Sequence, residues 1–290
     1  MKNPVSNQWY ADPEARVYDD VLYLYVTRSL PFDEQTNLDV VTSRDLTHFE
    51  EHHGILDMST FPEVHHAVWA PTVAKRAGRY YLVFAANNIN SDEEVGGLYL
   101  GVSDSPLGPF QNVFADGRAL VGRYLCGAQP IDAHLFCDGD ETYLYFGGRR
   151  HLVVCRMNRE MNGFLPLEEP AFEGFVREIT PQDYVEAPYV EKIGGQYHLM
   201  YSSGDWTNGT YRVKAAVSSS PCGSFEYYGD VLEAAEIADG PGHNSAFFFQ
   251  GRHYTAYHRR IPGDTNPHHR RLCIDLQSLE GERFQSVKMT

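Results

Sequence analysis

Basic residues are scarce in this 290-residue chain, where 24 Lys and Arg stand against 39 Asp and Glu for a net charge of −15. Nucleic-acid binding rests largely on cations that neutralise phosphates, so no nucleic-acid partner is expected, and neutral or cationic ligands fit better. Acidity by itself is an ordinary means to solubility. Cysteine is also sparse. Cys126, Cys137, Cys155, Cys222 and Cys273 are odd in number and form no Cys-x-x-Cys pair, which argues against a disulfide framework or a zinc knuckle and for reduced thiols. No stretch reaches the roughly 18 apolar residues of a membrane span. The start, Met1-Lys2-Asn3-Pro4, lacks the apolar core of a signal peptide. A cytoplasmic monomer without a membrane partner is therefore expected. Helix-period segments longer than two turns are hard to find.

What is abundant is aromatic residues and glycine: 19 Tyr, 16 Phe and 25 Gly suit many short strands joined by tight turns. Five short motifs each open a hydrophobic hairpin. They are Ala11-Asp12-Pro13, Trp69-Ala70-Pro71, Ile131-Asp132-Ala133, Val185-Glu186-Ala187-Pro188 and Gly242-His243-Asn244-Ser245, recurring at about 54 to 62 residues. The hairpins turn at Asp19-Asp20, Ala77-Gly78, Asp138-Gly139-Asp140, Gly194-Gly195 and Gln250-Gly251. Third strands follow at Leu38 to Ser43, Leu98 to Ser103 and Arg212 to Ser218. Each runs into a similar corner, beginning at Ser43, Ser103 and Ser219. Adding a return strand gives four antiparallel strands per unit. The pattern predicts an all-β fold, a five-bladed β-propeller of four-stranded antiparallel blades, as one domain over residues 1–290. A two-sheet sandwich would not need the same kind of opening in every unit.

The first strand of a propeller blade lines the central channel, so equivalent openings converge at one mouth. Asp12, Asp132 and Glu186 then share a pocket, with His243 beneath or beside them. Any one Asp alone is explained by turn capping; three carboxylates at matched repeat positions call for a common site. Carboxylates gathered together repel, which raises the pKa of at least one. A proton donor beside an ionised base is what glycosidic cleavage needs.

On these openings and the late Tyr257-His258-Arg259-Arg260, the chain resembles glycoside hydrolase family 43, five-bladed inverting enzymes that include α-L-arabinofuranosidases, β-xylosidases and arabinanases. The resemblance covers nearly the whole chain. It implies Asp12 as general base, Glu186 as general acid, and Asp132 as an ionised carboxylate that orients the acid and keeps it protonated. An inverting mechanism leaves roughly 6.5 to 9.5 Å between base and acid for the attacking water. The resemblance further implies a channel cation, commonly calcium, next to His243, although one imidazole is a poor ligand set for so hard an ion. It also implies a sugar-contacting arginine in His269-Arg270-Arg271, with Arg270 preferred, since a one-residue slip in a strand reverses the face. Trp69 and Trp206 are proposed as platforms for the apolar face of a sugar.

The function this implies is an exo-acting inverting glycosidase releasing L-arabinofuranose from plant polysaccharide side chains or oligosaccharides, with an arabinose- or xylose-containing saccharide as partner. β-Xylosidase and galactofuranosidase are rivals within the family, and a non-catalytic sugar-binding propeller is a rival outside it. A retaining fructan-cleaving enzyme would carry Asn-Asp-Pro, Arg-Asp-Pro and Glu-Cys motifs, which are missing. The doublets His52-His53, His65-His66 and His268-His269 are discounted as metal sites because adjacent strand residues face opposite ways. Asp92-Glu93-Glu94 reads as a solvated loop. Asp138-Gly139-Asp140 reads as a hairpin turn.

Overall fold

A computed structural model describes residues 2–87, 96–167 and 174–290. Strands dominate it, arranged as five antiparallel sheets in chain order. Blade 1 comprises β1 (Tyr10–Tyr18), β2 (Val21–Arg28), β3 (Leu38–Ser43) and β4 (Glu50–His53). Blade 2 comprises β5 (Trp69–Arg76), β6 (Arg79–Ala86), β7 (Gly97–Ser103) and β8 (Gln111–Asn112). Blade 3 is built from β9 (His134–Asp138), β10 (Glu141–Phe146), β11 (Val153–Met157) and β12 (Phe164–Leu165), and β13 (Val176–Glu178) also pairs with β11. Blade 4 holds β14 (Glu186–Ile193), β15 (Gln196–Ser203), β16 (Arg212–Ser218) and β17 (Glu226–Leu232).

Blade 5 departs from the expected four strands. Only β18 (Asp239–Phe249), β19 (Arg252–Arg260) and β20 (Arg271–Leu276) follow in sequence, and the chain then forms a small separate hairpin. The outer edge of β20 is covered by the N-terminal segment instead. The Val5 and Tyr10 amides donate to the carbonyls of Leu272 and Arg270, and the Ile274 amide donates to the Asn3 side chain. An open edge is thereby avoided, and the two ends of the chain are joined into a ring.

Burial explains the radial order. Because each blade packs both faces against neighbours, its strands read as near-continuous apolar runs, such as Leu22, Leu24 and Val26 facing blade 5 while Tyr25 faces blade 2. Five apolar clusters result, each filling the wedge between consecutive blades; Leu98, Leu100, Leu135 and Leu144 share one, and Val213, Ala215, Tyr257 and Cys273 another. The repeated corners are capped by serine. Ser43 Oγ accepts from the Leu46 amide at 2.9 Å and Ser103 Oγ from Ser105 at 3.1 Å. In blade 4 the capping residue is Ser218, one position before the expected Ser219, accepting from the Ser220 amide at 3.2 Å.

Candidate active site

The five openings share one backbone device. Asp12, Ala70, Asp132, Ala187 and His243 all have φ between 43° and 59°, the left-handed region, although none is glycine. In the four blades whose first strand begins this early, the register with the second strand shifts at the same point, the signature of a bulge. A bulge frees an amide from the ladder, and the preceding blade takes it up. The Ala70 amide donates to Thr27 Oγ1 at 2.8 Å and the His243 amide to Ser202 Oγ at 3.0 Å. The Asp12 amide meets His258 Nδ1 at 3.2 Å, and the Ala187 amide donates to the Asp132 carboxylate. Each bulge thus tilts one residue towards the channel mouth.

This alignment corrects the matched-position argument. Asp12, Asp132 and His243 occupy the left-handed position itself, whereas in blade 4 that position is Ala187. Glu186 stands one residue earlier, at the place Trp69 holds in blade 2. The extra methylene of Glu reaches from this neighbouring position into the same pocket.

That pocket is a cavity of about 250 Å3, and Asp12, Asp132, Glu186, His243, Trp69, Trp206 and Arg270 all line it. Phe32, Gln129, Ile131 and Tyr211 also contribute; Ile131 was read only as part of a blade opening, and none of the four was given a site role from sequence. Of these, Phe32 and Tyr211 lie in inter-strand segments that do not repeat. Arg270 takes the inward course and Arg271 the outward one. Arg270 is buried, donates to Asp12 Oδ1 at 3.1 Å and is held by Ser29 Oγ at 2.9 Å, while Arg271 lies over the Trp9 ring at 3.6 Å. Trp69 and Trp206 flank Phe32, with ring centroids 5.2 and 6.3 Å from it, and Arg270 sits 5.4 Å from the Trp206 ring. The Trp69 indole donates to Gln35. His268 joins this aromatic rim, 5.2 Å from Phe32, whereas its neighbour His269 stacks on Trp9 at 4.3 Å, so that doublet divides between two environments. Asp138 to Asp140 form the β9–β10 turn, with Asp138 bonded by Lys192 and Tyr197. Asp92-Glu93-Glu94 lie outside the described residues.

Electrostatics separates the three carboxylates. Burial alone would push Asp12 up, but the Arg270 guanidinium, His243 and His258 together hold it well below the usual carboxylate range. His243 Nδ1 lies 3.3 Å from Asp12 and 3.6 Å from Asp132. His258 Nδ1 lies 3.4 Å from Asp12, and burial brings its imidazole down to about 4. Glu186 goes the other way: burial raises it, the hydroxyl of Tyr211 donating at 2.9 Å lowers it, the charge of Asp12 raises it, and the result is about 7. Asp132 differs from the expected ionised carboxylate. Burial, then the charges of Glu186 and Asp12, push it well above its ordinary value. Asp132 and Glu186 are thus both displaced towards the protonated form, and Asp12 towards the ionised one. The pocket holds one depressed carboxylate beside two raised, coupled ones, the asymmetry that a separate base and acid require.

The side chains around His243 are a poor ligand set for calcium. Asp12 is engaged by Arg270 and two imidazoles and Asp132 accepts from the Ala187 amide, so few protein oxygens are left for a hard cation that takes six to eight oxygen ligands, waters included. Among the described residues no group of three or more His, Cys, Asp or Glu is arranged to hold a metal ion.

Comparison with known proteins agrees with this geometry. The family model described as Glycosyl hydrolases family 43 matches residues 1–280. Over 291 positions the sequence is 36% identical to the Beta-D-galactofuranosidase xynD of Aspergillus niger, spanning 94% of this chain and 80% of that protein. Identity to the Xylosidase/arabinosidase 43A of Humicola insolens is 28%, spanning 88% and 89%. The crystal structure of a thermostable family-43 glycoside hydrolase superposes with a TM-score of 0.82 at 23% identity, over 100% of this chain and 96% of that one, a likeness of fold.

Proposed function

Because this chain belongs to glycosyl hydrolases family 43, we propose that it is an inverting, exo-acting glycosidase in which Asp12 is the general base, Glu186 the general acid and Asp132 the carboxylate that tunes and positions the acid. The observation that carries this reading is the opposite displacement of Asp12 and Glu186 within one buried pocket. Asp12, ionised, takes a proton from water as that water attacks the anomeric carbon. Glu186 delivers its proton to the departing glycosidic oxygen, so one proton enters the site and one leaves it per turnover. Asp132 acts through Glu186: a second carboxyl crowded against the buried acid disfavours ionising both, and its bond to the Ala187 amide fixes the backbone beside Glu186. Arg270 keeps Asp12 ionised and points donors at sugar hydroxyls, while Trp69, Trp206 and Phe32 offer an apolar wall. The chemistry requires no cofactor.

The substrate we favour is a terminal α-L-arabinofuranosyl residue of an oligosaccharide or side chain. A cavity of about 250 Å3 lies below the roughly 300 to 1,000 Å3 of pockets for drug-sized ligands and suits one sugar residue, which supports end-on rather than mid-chain action. β-D-Galactofuranose is the second reading, favoured by the 36% identity to a protein named as a galactofuranosidase; its ring matches arabinofuranose but carries an extra hydroxylated arm. Xylose is the third. Hydrolysis of aryl α-L-arabinofuranoside, β-D-galactofuranoside and β-D-xylopyranoside should be followed for wild type and Asp12→Asn, with the first-formed anomer read by proton NMR. Release of one sugar with inverted configuration, lost in the variant, is expected. Equal rates in Asp12→Asn would defeat the base assignment, and a retained anomer would defeat inversion.

A further inference from the structure

Below the sugar pocket, on the same innermost strand as Asp12, lie Glu14 and Arg16. Glu14 is buried and all its bonds are internal: Arg16 Nη2 pairs with Oε1, Thr72 Oγ1 donates to Oε1 at 3.1 Å, and His134 Nδ1 faces Oε2 at 3.4 Å. Arg16 also crosses to blade 3, where Nη2 donates to the Leu135 carbonyl at 2.7 Å. His134 in turn reaches the Val190 carbonyl of blade 4 at 3.1 Å, so four blades meet on this knot. Arg16 and Glu191 also line a cavity of about 390 Å3 at the opposite end of the channel, together with side chains of all five innermost strands. The channel axis therefore carries Asp12, Asp132 and Glu186 above, Glu14 in the middle and Glu191 below. Arg270 serves the upper group and Arg16 the lower one.

We infer that the guanidinium of Arg16 is the built-in cation of the channel, standing where a divalent ion would otherwise be recruited, and that the protein takes up no calcium beside His243. Glu14 follows Asp12 by two residues on β1, and Asp12 lies 3.3 Å from His243, which makes Glu14 the next carboxylate along the channel from that histidine. Its Oε1 already receives Arg16 and Thr72, and its Oε2 faces the His134 ring. A divalent ion there would have to dislodge a tethered guanidinium from a bidentate-capable carboxylate and then sit beside its positive charge.

Two measurements test this. Metal analysis and thermal unfolding of the wild type after dialysis against EDTA, and again after millimolar CaCl2, should give well below one calcium per chain and an unchanged Tm; close to one calcium per chain, or a Tm that falls with EDTA and recovers with calcium, would overturn the inference. The pair itself is tested by Arg16→Met, Glu14→Gln and both together. Removing one partner of a buried pair leaves a bare charge or unmatched donors, so Arg16→Met should lower Tm by about 10 °C or fail to fold, and the double variant should regain most of that loss. A double variant no more stable than Arg16→Met, or an Arg16→Met protein as stable as wild type, would show that Arg16 is not the counter-charge.

Discussion

The openings of blades 1 and 4 present carboxylates to one pocket from the same bulged backbone, yet their protons behave in opposite ways. Asp12 meets a guanidinium and two imidazoles at 3.1 to 3.4 Å. Glu186 meets a single phenol at 2.9 Å and looks across at negative neighbours. Both lose solvent, so burial cannot distinguish them. The nearest partners do, and those partners come from elsewhere in the ring: Arg270 and His258 from blade 5 for Asp12, and Tyr211 from the segment before β16 for Glu186.

The largest effect should come from removing each carboxylate and reading the leaving group. Asp12→Asn should lower kcat by about a thousandfold or more on every substrate, because no leaving group replaces the base. Glu186→Gln should cost about a thousandfold on an unactivated glycoside but less than about tenfold on a dinitrophenyl glycoside, whose departure needs little protonation. Equal losses on both substrates would erase the distinction between the two positions.

A smaller effect, about a hundredfold on kcat/KM, is expected for Arg270→Met, together with a moved pH profile. On the proposed mechanism, activity requires Asp12 ionised and Glu186 protonated. The acidic limb should therefore lie below the ordinary carboxylate range, and the alkaline limb near the value of about 7 set for Glu186. Removing Arg270 withdraws the main force depressing Asp12, so the acidic limb should move to higher pH with the alkaline limb less affected. A stationary acidic limb would show that the histidines suffice. The smallest effect is reserved for Tyr211→Phe. Its hydroxyl stabilises ionised Glu186, so its loss should shift the alkaline limb upward by a fraction of a pH unit and change kcat less than about tenfold; a downward shift would reverse the role given to Tyr211.

The repeat and its charged openings were legible because a bulge leaves a small polar motif of nearly constant length at each blade start. Asp12, Asp132 and His243 could be aligned for that reason. Glu186 could be found but not aligned, since Val185-Glu186-Ala187-Pro188 offers two registers and only the backbone angle of Ala187 decides between them. Asp132 was expected to be ionised; its burial between two other carboxyls was not visible in a linear motif. Phe32 and Tyr211 went unseen because they belong to segments unique to their blades, and uniqueness is invisible to a repeat search. Blade 5 was expected to have a fourth strand; its edge is covered instead by the non-strand start of the chain, at the greatest separation in sequence.

That closure bears on how the site comes into being. The bond from Arg270 to Asp12 spans 258 residues and lies beside the seam where Val5 and Tyr10 pair with blade 5. Contacts of such separation are slow to form, because the intervening chain must be ordered before they can be made. Until blade 5 is in place Asp12 lacks Arg270, His243 and His258, the groups that hold its carboxyl low. Ring closure is thus the step that brings Asp12 its guanidinium and completes the pocket.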